Sequence, residues 1–170
     1  LAKPETTVTD EDGRIRSPKH ETLGETPTRA FIERMTTHKD LAEEVVPLVC
    51  RHLAPRTYFN ADASDGAIRR LARHVIRIDR LVRVAAADVA GRPPAPKDFP
   101  EGEWLLRRAE ELRVQGSAPK PIVLGRHLIE HGLEPGPSFG PILDKCFEAQ
   151  LDGAFDDLAG GLVYQAQLLQ

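Results

Sequence analysis

The chain has 170 residues, 41% of them hydrophobic, and a formal net charge of −3. That is enough apolar material for one domain or two small subdomains, and too weak a field to attract nucleic acid without a local basic patch. No apolar run approaches the roughly 18 residues of a membrane span and no basic-then-apolar leader opens the chain. Cys50 and Cys146 lie in apolar helical patterns without Cys-x-x-Cys spacing, so buried, reduced thiols in a cytoplasmic protein are expected rather than a disulfide or zinc knuckle. The first residue is Leu1 and the sole methionine is Met35, from which the chain reads as a piece of something longer.

Thr6 to Ser17 alternates weakly around Asp12-Gly13, a hairpin-turn dipeptide, and predicts a small β-hairpin or extended arm. Everything after it reads helical. A first-turn Pro27 opens a helix carrying Phe31, Ile32 and Met35, which runs to Thr36. A second spans about Lys39 to Leu53, and Pro47 inside it should either kink it or move its start toward Val45. After a polar loop at Asn60 to Asp65, Ser64 or Asp65 caps the apolar series Ile68, Leu71, Ala72 and Val75, continued by Ile78, Val82, Ala85 and Val89. Periodicity leaves open whether this is one helix or two with a break near Arg77. Arg92-Pro93-Pro94-Ala95-Pro96 reads as a stiff linker. Trp104, Leu105, Ala109 and Leu112 then mark an amphipathic helix ending near Gly116. A last helix starts at Asp156, weakened by Gly160-Gly161. The fold class this predicts is all-α, a multi-helix array with a small N-terminal hairpin or arm.

Pro121 to Leu143 predicts two helices around a Gly- and Pro-bounded corner. Gly132 ends the first in a left-handed conformation, Ser138 can cap the second, and Pro141 fits only in that helix's first turn. The N–H groups of Phe139 and Gly140 would then be free, with no side chain on Gly136 or Gly140 to hold off a phosphate. Alternatively, the segment is a tight helix–helix corner and nothing more.

Arg69, Arg73, Arg77 and Arg80 recur at three- or four-residue intervals, with Arg70 and Arg83 beside them. On a continuous helix they share a face suited to phosphates, and Asp79 is the acid within the stripe that could neutralise it. His20, His52 and Asp88 supply two imidazoles and a carboxylate, the raw material of a metal site, although a His on an apolar helix face is commonly a packed core residue. His127 and His131 are one turn apart but lack the Glu of a metalloprotease motif. Asp10-Glu11-Asp12 reads as solvated turn acids. No phosphate-cradling Gly-Lys-Ser/Thr loop, dinucleotide fingerprint or Gly-x-Ser-x-Gly elbow occurs, so no self-sufficient active site is expected.

Several blocks are similar to one family. Leu1 to Thr7, Asp12-Gly13-Arg14-Ile15-Arg16 and His20-Glu21 resemble the segment that follows the His-Asp doublet in bacterial tRNA nucleotidyltransferases and poly(A) polymerases of the CCA-adding type. Ser64 to Ala72 and Ala87 to Arg92 look like its middle region. Gly125-Arg126, Gly132 to Pro137, Phe139 to Leu143 and Glu148 to Gly153 resemble its C-terminal body.

This resemblance implies a truncated HD-like helical subdomain over 1–92, a Pro-rich linker and amphipathic helix over 93–120, and a helical RNA-binding subdomain over 121–170. It implies that the region holds the 3-prime end of a tRNA or other RNA while a separate N-terminal head, absent here, uses Mg, ATP and CTP. Arg69, Arg70, Arg73, Arg77, Arg126, Gly136, Ser138 and Gly140 would face RNA. No catalytic residue, cofactor or membrane partner is expected for this stretch. His20, His52 and Asp88 would match later ligand positions of a divalent-metal HD site whose anchoring doublet would precede Leu1, so little tight metal binding is expected of the three. A remnant of an HD-type phosphohydrolase and a helical protein-interaction module are the competing readings.

Overall fold

The computed structural model describes residues 2–91 and 96–170, so most of the expected Arg92–Pro96 linker lies outside the described residues. The all-α expectation holds. Ten helices, α1 (Lys3–Thr6), α2 (Glu25–Met35), α3 (Lys39–Arg51), α4 (Ala54–Asn60), α5 (Asp65–Val75), α6 (Ile78–Ala90), α7 (Pro100–Glu111), α8 (Gly125–Glu130), α9 (Phe139–Leu151) and α10 (Leu158–Leu168), accompany one hairpin of β1 (Val8–Thr9) and β2 (Ile15–Arg16) among the described residues. The hairpin is antiparallel, with Val8 opposite Arg16 and Thr9 opposite Ile15. Asp10 organises its turn: its carbonyl accepts from Gly13 N–H at 2.9 Å and its carboxylate from Arg14 N–H at 2.8 Å. The turn-acid reading of Asp10 to Asp12 therefore stands.

Two apolar clusters organise the helices. The larger joins Leu48 of α3 and Ala54 of α4 to Ile68, Leu71, Ala72 and Val75 of α5, Ile78, Leu81 and Val82 of α6, and Leu105 and Ala109 of α7. The helix expected inside 93–120 is thus built into the core of the segment before it. The second gathers Val123, Cys146 of α9 and Phe155, with Tyr164 and Leu168 of α10 packed against them. Cys146 is buried, whereas Cys50 is only half-buried; both thiols are free.

Helix ends follow local chemistry. Ser64 caps α5 by accepting from Ala67 N–H at 3.3 Å, and Asp157 caps α10 from Gly160 N–H at 2.7 Å. α8 closes as expected: Gly132 takes φ +96°, its N–H reaches Ile129 O at 2.9 Å, and Leu133 N–H reaches Leu128 O at 3.0 Å. This paired return of amides to the last turn satisfies carbonyls that otherwise face no partner. α7 ends the same way at Arg113, φ +57°, which stops it before Gly116. α3 begins at Lys39 with Pro47 inside it, so the start does not move toward Val45. α1 and α4 were not expected from the sequence, although Pro55 in the first turn of α4 is a start signal.

The open question at Arg77 is resolved by two helices. Ile76 takes φ +61° and ψ −45°, and Arg77 N–H donates to Val75 O at 2.6 Å. A three-residue γ-turn with a β-branched residue at positive φ in its centre is strained, because Cβ crowds the backbone. It is retained because Val75 and Ile78 on either side are buried at 3% and 0% exposure. Ile76 itself is 47% exposed. Replacing Ile76 with Gly is expected to stabilise the fold by about 1 kcal/mol, strain relief exceeding the added freedom of the unfolded chain. Urea unfolding of Ile76→Gly beside the unmodified chain measures this.

Candidate functional site

Three elements bring His20, His52 and Asp88 together. His20 lies in the turn before α2, His52 terminates α3, and Asp88 sits near the end of α6. One ligand atom from each lies within 4.8 Å of the others, the sole such group of three among the described residues. His20 Nε2 and His52 Nε2 are 3.0 Å apart, and His52 Nε2 is 3.9 Å from Asp88 Oδ2. Lys3 of α1 contacts the other carboxylate oxygen of Asp88.

The two rings are oriented by backbone. His20 Nδ1 is 2.6 Å from Ser17 O and 3.5 Å from the Glu21 carboxylate, and His52 Nδ1 is 2.6 Å from Val49 O. A carbonyl cannot donate, so both Nδ1 atoms carry the proton and the two Nε2 atoms are the ones turned toward each other. Two lone pairs facing each other at that separation repel unless a proton or metal ion lies between them. Two imidazole nitrogens each about 2.0–2.1 Å from one ion would be roughly 2.9–3.4 Å apart, so the donor set suits a borderline divalent cation. The triad forms the wall between two cavities, about 520 Å³ and 280 Å³. The larger is lined as well by Lys3, Arg16, Arg56 and Thr57, which sequence reasoning did not select; no local spacing marks them.

The expected basic face is dismantled. The γ-turn interrupts the helix, so the four arginines do not run along one axis. Acids from other helices then claim them: Arg70 pairs with Glu148 at 2.9 Å and Asp152 at 2.8 Å, Arg73 with Glu148 at 2.9 Å, and Arg80 with Glu44 at 2.6 Å. Arg77 pairs with Asp79 at 2.7 Å, and Arg69 donates to Leu151 O at 3.0 Å. The Arg70 guanidinium holds the Asp152 carboxyl below its usual range, and Arg77 does the same to Asp79. Glu148 and Asp152 lie on α9, far away in sequence, so counting charges within the stripe could not find them.

The corner is partly as expected. Gly132 turns the chain and α9 begins just after Ser138, but the Ser138 side chain makes no capping hydrogen bond and Phe139 N–H already donates to Gly136 O at 3.1 Å. Of the two amides expected to be free, Phe139 is therefore engaged. A side chain added at Gly140 would meet nothing within 4 Å, and one at Gly136 only Glu134 O at 3.8 Å. Arg126 is exposed beside buried His127, whose Nδ1 accepts from Leu124 N–H at 3.0 Å. That bond commits His127 Nδ1 to opening α8, and Arg126 Nε lies 3.1 Å from its Nε2. The arginines on α5 meet the far end of α9, about 12 Å along its axis from Gly140.

No protein-family model matches the chain, and neither a curated protein nor a solved structure does. No helix among the described residues is long and apolar enough to cross a membrane.

Long-range proton–nitrogen NMR on the metal-free chain is expected to find Nδ1 protonated in both His20 and His52. An Nε2–H tautomer of His52 would contradict this assignment.

Proposed function

We propose that this chain is the helical region of a tRNA nucleotidyltransferase, CCA-adding or poly(A) polymerase-like, in which an HD-like subdomain adjoins a body that holds the RNA 3-prime end. The observation that carries the reading is the meeting of His20, His52 and Asp88 within 4.8 Å. Their residue types suggest a metal site, the family resemblance matches them to ligand positions, and residues 32 and 36 apart in sequence have no local reason to converge. Transfer chemistry, with its Mg and nucleotides, would belong to a head outside these 170 residues. This region would contribute orientation, presenting a terminal hydroxyl to a nucleotide bound elsewhere.

The paired arginines do not remove an RNA role, because exposed ion pairs are worth only about 0–1 kcal/mol and a phosphate can exchange with the carboxylate. Arg70 and Arg73 are 37% and 44% exposed beside a Glu148 that is 47% exposed. Together with Arg126 and the open backbone at Gly136 and Gly140, they are the groups on which an RNA backbone would lie. A tRNA acceptor minihelix is expected to bind, with affinity falling roughly tenfold or more between about 50 and 200 mM salt. Arg73→Glu weakens it; Glu148→Gln, which releases two arginines from one acid, tightens it. Absence of binding, or binding indifferent to salt and to both substitutions, rejects the RNA role.

A second reading, an HD-type metal-dependent phosphohydrolase, is favoured by the cations Lys3, Arg16 and Arg56 lining the cavity beside the triad. A divalent ion bound there would supply an activated water and a Lewis acid. The three cationic side chains would hold the phosphate ester, and Ser17 and Val49 carbonyls would keep both imidazoles turned inward. Hydrolysis of bis(p-nitrophenyl) phosphate that needs added divalent ion and is lost in His52→Ala is the outcome expected of this reading. No hydrolysis with any of Mn2+, Co2+, Ni2+ or Zn2+ rejects it.

A further inference from the structure

Lys3 reaches the triad from α1, a four-residue helix. Its side chain is 43% exposed, whereas Asp88 is 14% and His52 7% exposed, so the ammonium stands at the mouth of the site and the carboxylate within it. A carboxylate withdrawn from water needs a counter-charge. Lys3, in contact with Asp88 Oδ1, supplies one. A divalent ion placed among His20, His52 and Asp88 would share that carboxylate with a second cation and be repelled by it.

We propose that Lys3 is a tethered cation that neutralises Asp88 in the metal-free protein and competes with a divalent ion for it, so that α1 sets the metal affinity of the centre. The inference rests on reading the triad as a metal site. Lysine suits the role because its charge is compact and carried on a flexible stem, which can swing out without disturbing the backbone. Its side chain borders both cavities, so space for that withdrawal exists. The segment holding it is tied to the ligand loop: Thr7 Oγ1 lies 2.8 Å from Ser17 Oγ, and Ser17 O accepts from His20 Nδ1. Ala2, 2% exposed, anchors its other end. Lys3 is accordingly a positioning residue for the site rather than a ligand.

Zinc affinity, measured by competition with a chromophoric chelator, tests this on the whole chain. Lys3→Met keeps the stem and removes the charge; it is expected to bind zinc roughly tenfold or more tightly than the unmodified chain. Lys3→Arg, which keeps the charge, stays within about threefold of it. Adding His52→Ala to Lys3→Met abolishes the gain. In metal-free buffer Lys3→Met melts at a lower temperature, and zinc restores it. If Lys3→Met does not fold without metal, Lys3→Gln replaces it in the same comparison. Zinc binding that is equal or weaker in the neutral variant overturns the role of Lys3 and leaves the metal site standing. A gain that survives His52→Ala places the effect elsewhere and overturns it too. No zinc bound by any of the chains overturns both the role and the site.

Discussion

Everything in this molecule depends on α5 being used on two sides. Its apolar face, Ile68, Leu71, Ala72 and Val75, is buried in the larger cluster, while Arg69, Arg70 and Arg73 on the other side grip the last turns of α9. Gly66 makes that grip close: a side chain there would meet Asp152 Oδ1 at 2.7 Å. Arg73 adds a stacking contact, its guanidinium 4.8 Å from the centre of the Phe147 ring. The row of arginines is thus first a clamp between two apolar clusters. Any polyanion would have to compete with carboxylates already in place.

The same helix determines where the polar triad can form. α5 cannot run on into α6, because the γ-turn at Ile76 folds the chain back and lets Ile78, Leu81 and Val82 enter the cluster. That turn aims α6 so that Asp88 meets His52 at the end of α3. Two imidazoles held by backbone carbonyls with their Nε2 atoms 3.0 Å apart are not a stable arrangement if both rings are neutral with Nδ1 protonated. A proton or a metal ion belongs between them, while Lys3 at the mouth of the site contacts Asp88. Strain at Ile76 and the close approach of His20 to His52 therefore lie on one path through the structure.

Features governed by neighbours in sequence were readable from it. Ser64 caps α5 because a hydroxyl before an apolar periodic run has an amide three residues on to accept from, and Gly132 ends α8 because it alone there takes a left-handed conformation without penalty. The hairpin around Asp12-Gly13 and the start of α9 after Ser138 follow from the same kind of local chemistry. Short elements escaped: α1 and α4, four and seven residues long, offer too few turns for a period to register. Ile76 and Arg113 escaped because both occupy conformations that a glycine would have announced.

Composition, periodicity and capping residues were enough to establish an all-α chain with a small hairpin, since each of those signals acts over a few residues and carries its own energetic preference. The pairing of Arg70 and Arg73 with Glu148 and Asp152, and of Lys3 with Asp88, came only with packing. Each joins residues more than seventy positions apart, and a charge has no preferred partner until burial of apolar faces decides which helices touch. The triad of His20, His52 and Asp88 stands between the two cases: its residue types announced metal-binding chemistry, but the folding of α3 against α6 brought the atoms within reach.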